Sequence, residues 1–302
     1  MPLNKSWHDY DESLIERGRV LMDVGFLKSW NKEIVKMNQG KVGAPFEYSN
    51  SYIHFLAFLK IRFKIAYRTV QGIVRGLSEY IRIEEMHFTH IRRRIQNIKP
   101  SVENLGFEEE HDDDDNKPLT LIVDASGLTI SKKGDYIEEK WLLEKKEFVK
   151  LHIAVDEKSK KVVLSFRITK GDVHDSKKFC SLVKEAAQNY NIDRVYADKA
   201  HDNRRSFNLL DDLNIEPAIN IRKNASIKTK GCPLRRDEVL LIKKLGYDGW
   251  RQLKDTGKRW IAEIVFSSIK RVFGEDLLSK KFKAQKVEAE LKVMLYNKFI
   301  SL

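Results

Sequence analysis

The chain has 302 residues, 42% of them hydrophobic and 33% charged, and it carries a formal net charge of +12 at pH 7. This length and apolar content predict a soluble globular protein with one large or two ordinary domains. The two cysteines are too few for a disulfide framework and lack the CxxC spacing of a zinc site. Neither a signal peptide nor a run of about 20 apolar residues is present, which indicates a cytoplasmic location.

Helical periodicity dominates residues 1–107, which we predict to form a small all-α domain. The segments NSYIHFLAFLKIRFKIAY, RTVQGIVRGLSEY and FTHIRRRIQNI are typical of three helices. Three short helices that end in a basic one suggest a helix-turn-helix module, whose last helix would present Arg92, Arg93 and Arg94 to DNA. A helical bundle with a solvated basic face explains the same pattern equally well.

A block of like charge, GFEEEHDDDDNKP, follows these helices. Residues 108–118 contain seven acidic residues and one lysine, and such blocks stay solvated because they repel themselves. We therefore predict an acidic linker at 108–118 and a domain boundary there. The chain on either side of the linker has a basic excess, which is compatible with a nucleic-acid partner but also occurs in ordinary soluble proteins.

At the start of residues 119–302 the spacing of apolar residues changes from the helical period to that of strands. The runs LTLIVDASGLTI, FVKLHIAVD and KVVLSFRIT predict three consecutive strands joined by hairpins. Beyond them, DSKKFCSLVKEAAQNY and DNRRSFNLLDDL are typical of helices, and DRVYAD and EPAINI of strands. Two further helices are expected near 258–273 and from about 285. This alternation predicts an α/β domain with a mixed sheet and helices packed against it.

Three acids occupy notable positions in this second predicted domain. Asp124 follows the apolar run LIV, where we expect the first strand to end, and Asp198 ends the later strand VYAD. Glu263 lies in the amphipathic helical segment TGKRWIAEIVFSSIKRVFGED. A carboxylate beside a buried strand is costly unless it is paired or binds a metal ion, although a turn or cap role explains each acid singly. Hard oxygen ligands without cysteine or clustered histidine favour Mg²⁺ or Mn²⁺ over zinc.

The helical segment also places two cations beside its acid. On a helical wheel Arg259, Glu263 and Lys270 share one stripe at the edge of the apolar face. One interpretation is a surface ion pair between Arg259 and Glu263, which would stabilise the helix by only a few tenths of a kcal/mol. The other is an acidic metal ligand whose neighbouring cations contact a substrate.

Motifs throughout the chain resemble those of DDE transposases, which have a ribonuclease H-like fold. From Arg259 the residues read R-x3-E-x6-K, which is similar to the Y-x2-R-x3-E-x6-K signature of prokaryotic insertion-sequence transposases, with Thr256 at the tyrosine position. The segments DASG, GDVHDS and ADKAHDN resemble the insertion-sequence-five (IS4/IS5-like) family, as do PFEYSN and FTHIRRR in the N-terminal half. The resemblance covers nearly the whole chain, and the carboxyl-terminal signature is its most specific part.

This resemblance implies a ribonuclease H-like mixed sheet with flanking helices, and a DDE triad of Asp124, Asp198 and Glu263. The triad would bind Mg²⁺ or Mn²⁺, with two ions expected, since two ions about 4 Å apart stabilise both oxygens of an in-line displacement. Arg259 and Lys270 would contact phosphates of double-stranded DNA. The implied function is a transposase that binds the terminal inverted repeats of an insertion sequence, cleaves there and joins the ends to target DNA. Synapsis of two ends implies a homo-oligomer.

Two other functions stay open at this point. One is a metal-dependent nuclease of the same fold that hydrolyses DNA without strand transfer. The other is a catalytically inactive, transposase-derived DNA-binding protein. Among the remaining polar and aromatic candidates, we interpret His201 as a polar cap or surface residue and His152 as a polar residue of the sheet. We interpret Trp250 and Trp260 as residues of core or domain packing and not as residues that stack on an extruded base.

Overall fold

The structure is a computed structural model that describes residues 6–98, 118–131, 148–157 and 162–302. Apart from Pro118, the predicted acidic linker lies outside these ranges. Five helices occupy the first range: α1 (Trp7–Leu21), α2 (Phe26–Asn38), α3 (Asn50–Phe63), α4 (Tyr67–Ser78) and α5 (Phe88–Ile95). The last three confirm the predicted helices, whereas α1 and α2 were not predicted. Within the described ranges, no helix has the length and apolar character needed to cross a membrane.

A mixed six-stranded sheet with flanking helices follows. Its strands are β1 (Leu119–Ile130), β2 (Phe148–Asp156), β3 (Val163–Lys170), β4 (Ile192–Ala197), β5 (Glu216–Ile219) and β6 (Asp276–Leu277). The helices are α6 (Ser176–Asn189), α7 (Arg204–Asp212), α8 (Pro233–Lys254), α9 (Trp260–Phe273) and α10 (Phe282–Ile300). The predicted helix near 258–273 corresponds to α9, and the last helix begins three residues before the predicted start.

The order of the strands is β3-β2-β1-β4-β5, with β6 paired to the end of β1. Strands β1, β2 and β3 are antiparallel neighbours, as expected for hairpin-connected strands, whereas β4 and β5 run parallel to β1 because helices connect them. This arrangement is a ribonuclease H-like sheet with flanking helices, so the predicted fold class is confirmed.

Strand β1 spans the whole of the predicted run LTLIVDASGLTI and therefore continues beyond Asp124. Asp124 was expected to close the strand, but it lies in the middle of a strand that runs to Ile130. The reason is pairing on both sides: β2 pairs with β1 as far as Thr129, and β6 pairs with its last two residues. Paired strand residues therefore precede and follow Asp124, and they hold its backbone rigidly.

Helix α8 was also missed by sequence analysis. Gly246 interrupts it with φ 72° and ψ 166°, a conformation that glycine adopts without steric cost. Only four of its 22 residues are buried, namely Glu238, Val239, Trp250 and Lys254. A kinked helix with two buried charged residues shows no clear apolar stripe, so its sequence does not follow the usual helical period.

Two apolar cores cover the two faces of the sheet. On one face, Leu121 and Val123 of β1 pack with α6 and α7 residues such as Phe179. On the other face, Ile122 belongs to a continuous core that contains α9, α10 and most of α3. The helices before the linker thus share a core with the helices that cover the sheet. The division into domains 1–107 and 119–302 stays a prediction.

Asn297 fastens the last helix to the edge of the sheet. It is fully buried, and its side-chain amide donates to the carbonyl of Val163 at 2.8 Å and accepts from the Val163 N–H at 3.0 Å. Both backbone groups belong to β3, which is the edge strand of the sheet among the strands that the structure describes. The amide of Asn297 therefore makes the two hydrogen bonds with Val163 that a residue of an adjacent strand would make.

We expect Asn297→Ala to lower the free energy of unfolding by about 3 kcal/mol, because a buried N–H and a buried carbonyl each lose their partner. Urea denaturation followed by circular dichroism measures this change. Asn189→Ala, at an exposed position at the end of α6, is the matched control and should change stability far less. Equal stabilities of the two variants would contradict a role for Asn297 in holding α10 to β3.

Candidate active site

The register of two parallel strands places two carboxylates side by side. Val123 of β1 pairs with Ala197 of β4, so the next residues, Asp124 and Asp198, are neighbours across the sheet. Adjacent strands are about 4.8 Å apart, and side chains alternate between faces. Both aspartates therefore project from the face that carries Ile122. Asp198 itself follows β4 directly and begins a single 3₁₀ turn at 199–201.

Helix α9 brings the third carboxylate to the same face. Its buried residues, among them Ile261, Val265 and Ile269, pack in the core that also contains Ile122. Glu263 lies in the first turn of α9, at the edge of this apolar face, and 61% of its side chain is exposed. The helix is thus anchored by its apolar side while its acid stays at the solvent boundary.

Arg259 lies between two of the acids. Its Nη1 is 3.9 Å from Oδ2 of Asp124, and its Nη2 is 3.5 Å from Oε1 of Glu263. The predicted pair between Arg259 and Glu263 therefore exists, but the same guanidinium also reaches the buried strand. A pure surface pair would not make this second contact.

The carboxyl of Asp124 lies within the electrostatic influence of the other two acids. Burial raises the pKa of its carboxyl above the usual range, and the charges of Asp198 and Glu263 raise it further. The N–H of Ala125, 2.9 Å from Oδ1, and the guanidinium of Arg259 act in the opposite direction. Negative charge is thus concentrated around a partly desolvated carboxylate, and Arg259 compensates only part of it.

An open cleft of about 620 Å³ runs beside β1 and α9. Asp124 and Glu263 line it, together with Lys270 one to two helical turns further along α9. Arg271 and Ser126 also line the cleft; sequence analysis did not select Arg271, although it lies next to the predicted Lys270. The cleft therefore has two of the three acids and two basic residues, Lys270 and Arg271, in its lining.

Arg259 and Glu263 also line a second cleft, of about 350 Å³, with Thr256 and Trp260. The residue at the family tyrosine position therefore lines the same cleft as the predicted acid. Trp260 is 51% exposed and so does not lie in the core. Trp250 is fully buried and donates from Nε1 to the carboxylate of Glu238 at 2.8 Å, which confirms its packing role.

The donor chemistry of the three acids fits a hard divalent ion, since carboxylate oxygens are its preferred ligands. Within the described ranges, however, no three His, Cys, Asp or Glu side chains are grouped closely enough to hold one metal ion. The guanidinium of Arg259 occupies the space between Asp124 and Glu263. Because the Glu263 side chain is largely exposed, it can turn toward Asp124 without disturbing the core.

Two histidines lie close behind the acids. His201 is only 3% exposed, and its ring centre is 5.1 Å from that of Phe179, so it is not the surface residue that we expected. His152 is buried in the sheet, and its Nε2 is 2.8 Å from Oγ1 of Thr169. Burial lowers the pKa of both imidazoles to about 4, so both are neutral at pH 7.

The predicted arginines of α5 differ in their surroundings. Arg92 and Arg93 are exposed. Arg94 is half-buried: its Nη2 donates to the carbonyl of Tyr48 at 3.1 Å and to Oδ1 of Asn50 at 3.0 Å, and its guanidinium lies 4.9 Å from the centre of the Phe46 ring. Arg94 therefore fixes α5 against the start of α3.

Several solved structures are similar to this one at low identity. The catalytic core domain of BIV integrase is 13% identical, with 58% of this chain and 80% of that chain covered and a TM-score of 0.29. A piggyBac transposase synaptic complex with hairpin DNA is 12% identical, with 95% and 74% covered and a TM-score of 0.44. The Drosophila P element transposase strand transfer complex is 12% identical, with 89% and 69% covered and a TM-score of 0.36.

Sequence models of protein families give the stronger result. Residues 115–298 match a family model described as a transposase DDE domain, and residues 15–133 match a second model with the same description. The first match spans more than half of the chain and contains Asp124, Asp198 and Glu263. The chain therefore belongs to the DDE transposase family.

Proposed function

We propose that Asp124, Asp198 and Glu263 are the catalytic, metal-binding triad of this transposase. The observation that carries this proposal is the parallel register of β1 and β4, which sets two aspartates side by side on the face covered by α9. The third acid lies in the first turn of that helix, and its charge acts on Asp124. The R-x3-E-x6-K spacing further favours the prokaryotic insertion-sequence branch of the family, nearest to the insertion-sequence-five group.

DDE transposases act with divalent metal ions, and we propose Mg²⁺ or Mn²⁺ here, with two ions in the complete site. Bound ions would stabilise charge on the attacking and leaving oxygens of a phosphodiester. The protein would contribute three carboxylate ligands, one within strand β1, one directly after strand β4 and one in the first turn of α9. Lys270, in the cleft beside Asp124 and Glu263, would hold a DNA phosphate in place. Arg259 would exchange its carboxylate partners for a phosphate when DNA binds.

The substrate that follows is double-stranded DNA, first the terminal inverted repeats of the element and then the target. Arg92 and Arg93 are the proposed phosphate contacts of α5, because their guanidinium groups are exposed. Assembly of two ends by a homo-oligomer, in the cytoplasm, completes the proposal. Joining of labelled element ends to a plasmid tests it, since products that are only hydrolysed would indicate a nuclease and no products an inactive DNA-binding protein.

The first prediction concerns Glu263. Glu263→Gln keeps the shape of the side chain but removes the charge that a hard ion requires, so Mg²⁺-dependent cleavage of element-end DNA should fall by at least about a hundredfold. Thermal stability should hardly change, because the side chain is largely exposed.

Glu16→Gln is the matched control, since Glu16 forms a comparable exposed pair with Arg19 at 3.1 Å on α1. It should retain full cleavage. If folded Glu263→Gln protein cleaves as well as this control, Glu263 is a surface pair and the triad is refuted.

The second prediction concerns the pH dependence of stability. The folded state binds the Asp124 proton more tightly than the unfolded chain, because the pKa is raised. This contribution is complete below the unfolded pKa of about 3.9, decreases as pH rises past it, and is lost above the folded pKa. Asparagine does not ionise. Without metal ions, Asp124→Asn should therefore become increasingly more stable than wild type as pH rises from about 4 to 7.

Thermal unfolding in EDTA and in Mg²⁺ measures both parts of this expectation. Added Mg²⁺ should raise the melting temperature of wild type and of the control Asp212→Asn, at an exposed position at the end of α7, but not that of Asp124→Asn. Equal Mg²⁺ stabilisation of all three proteins would remove Asp124 from the metal site.

The third prediction separates the arginines of α5. Arg93→Ala should weaken binding to duplex DNA and lower the slope of log affinity against log salt concentration by about one. Arg94→Ala should instead destabilise the fold by about 1–2 kcal/mol, because it loses two hydrogen bonds within the chain. Fluorescence anisotropy and urea denaturation give the two quantities. Unchanged affinity and slope for both Arg92→Ala and Arg93→Ala would assign DNA recognition to another surface.

A further inference from the structure

A small, partly open cavity lies away from the three acids, where α3 meets the turn between α9 and β6. Its volume is about 70 Å³, which exceeds the roughly 15 Å³ that one water molecule needs on this measure. Three lysines line it: Lys60 and Lys64 from the end of α3, and Lys292 from α10. Segments from before and after the predicted linker thus contribute cations to one space.

Lys292 is already partly engaged by the protein. It is 2% exposed, and its ammonium donates to the carbonyls of Gly274 at 2.7 Å and Asp276 at 2.8 Å. These carbonyls follow the carboxyl end of α9, where a cation is favourable. Two of its three N–H donors are used in this way, and no residue that the structure describes accepts from the third. Capping of the carboxyl end of α9 therefore accounts for two of the three N–H donors of Lys292. It does not account for the burial of Lys60.

Lys60 is a second buried cation of the cavity. It is 6% exposed, and its ammonium makes no hydrogen bond or ion pair with any residue that the structure describes. Its ammonium lies 5.0 Å from the centre of the Tyr67 ring, which compensates only part of the cost of burial. Burial lowers the pKa of Lys60, and the charge of Glu288 opposes this effect. A hydrogen-bond acceptor in the cavity would remove the remaining cost.

Lys64 closes the mouth of the cavity. It ends α3 in the left-handed conformation, with φ 52° and ψ 38°, and its side chain crosses Gly274. A Cβ atom at residue 274 would lie 2.7 Å from both Cε and Nζ of Lys64, so this approach depends on the glycine. Lys64 is exposed and can move to admit an ion.

The acids around the cavity do not balance the three lysines. Glu288 lines the cavity, but its two carboxylate oxygens accept the N–H groups of Leu278 and Ser279, each at 2.9 Å. Asp276 also lines it and is exposed to solvent. The lining therefore contains three lysines and two acids, and backbone N–H groups occupy the oxygens of Glu288. The cavity lining carries a net positive charge.

We propose that this cavity binds a tetrahedral oxyanion of the phosphate type, held by Lys60, Lys64 and the third donor of Lys292. Such an ion offers several acceptors at once and matches point-charge ammonium donors. Its source is either free phosphate or a phosphate of the DNA backbone that reaches the mouth beside Lys64. Because the donors come from α3 and α10, the ion would stabilise the contact between the first helices and the turn that follows α9.

Thermal unfolding of the full chain tests this site directly. Sodium phosphate, titrated against sodium chloride at constant ionic strength and pH 7, should raise the melting temperature of wild type by several degrees at saturation. Lys60→Met should lose this increment. Lys243→Met, at an exposed position on α8, has the same charge change and should keep it, which corrects for the general effect of phosphate on proteins. Equal increments in all three proteins, or none in wild type, would overturn the proposal.

A second measurement tests the site without Lys60→Met, in case that variant does not fold. The ³¹P resonance of inorganic phosphate should broaden with wild type and broaden several-fold less with Lys64→Met, whose exposed position makes folding secure. Unchanged broadening by Lys64→Met would refute the site. Added duplex DNA distinguishes the sources: it should abolish the broadening if backbone phosphate enters the cavity and leave it unchanged if the ion is free. Neither measurement involves cleavage, so their failure is independent of the triad.

Discussion

The parallel pairing of β1 with β4 is the constraint on which the candidate site depends. A shift of one residue would turn Asp124 or Asp198 toward α6 and separate the pair. The register is fixed by burial, because Leu121 and Val123 must face one core while Ile122 faces the other. The neighbouring apolar residues thus determine the face of the sheet on which Asp124 and Asp198 lie. Contacts of the two carboxylates themselves are not needed for this placement.

The same placement makes the site costly for the folded state. A carboxylate in a partly buried strand, with two more nearby, loses hydration that the protein does not fully replace. Arg259 offsets part of this cost by lying between Asp124 and Glu263. Since Arg259 precedes α9 by one residue, its position and that of Glu263 are set by one segment. The arginine can therefore serve as an internal counter-ion whenever no other cation is present.

Much of the fold and of the site could be predicted from local patterns. Alternating apolar residues and the order of elements were enough for the sheet, and the spacing of Arg259, Glu263 and Lys270 was enough for the acidic helix. Three features depend on contacts between distant segments and leave no local signal. The extension of β1 past Asp124 needs β2 and β6, the burial of His201 needs α6, and the engagement of Arg94 needs the segment before α3.

The start of α9 is held by a buried network that sequence analysis could not have assembled. Lys254, 5% exposed, donates to Glu216 at 2.9 Å and to Glu238 at 2.7 Å, and its carbonyl accepts from the hydroxyl of Tyr196 at 3.1 Å. These contacts tie the end of α8 to β4 and β5, the strands that follow Asp124 across the sheet.

From that anchor the chain has little freedom before it reaches the acid. Asp255 turns it with φ 51°, a short 3₁₀ segment covers 256–259, and Lys258 binds Glu157 at 2.7 Å, just beyond β2. Glu263 follows after barely more than one helical turn. Lys254 and Glu238 are the buried pair of this network, whereas Glu216 and Lys258 are more than a third exposed. The network thus fixes where α9 begins, and through it the position of Arg259 and Glu263 relative to Asp124.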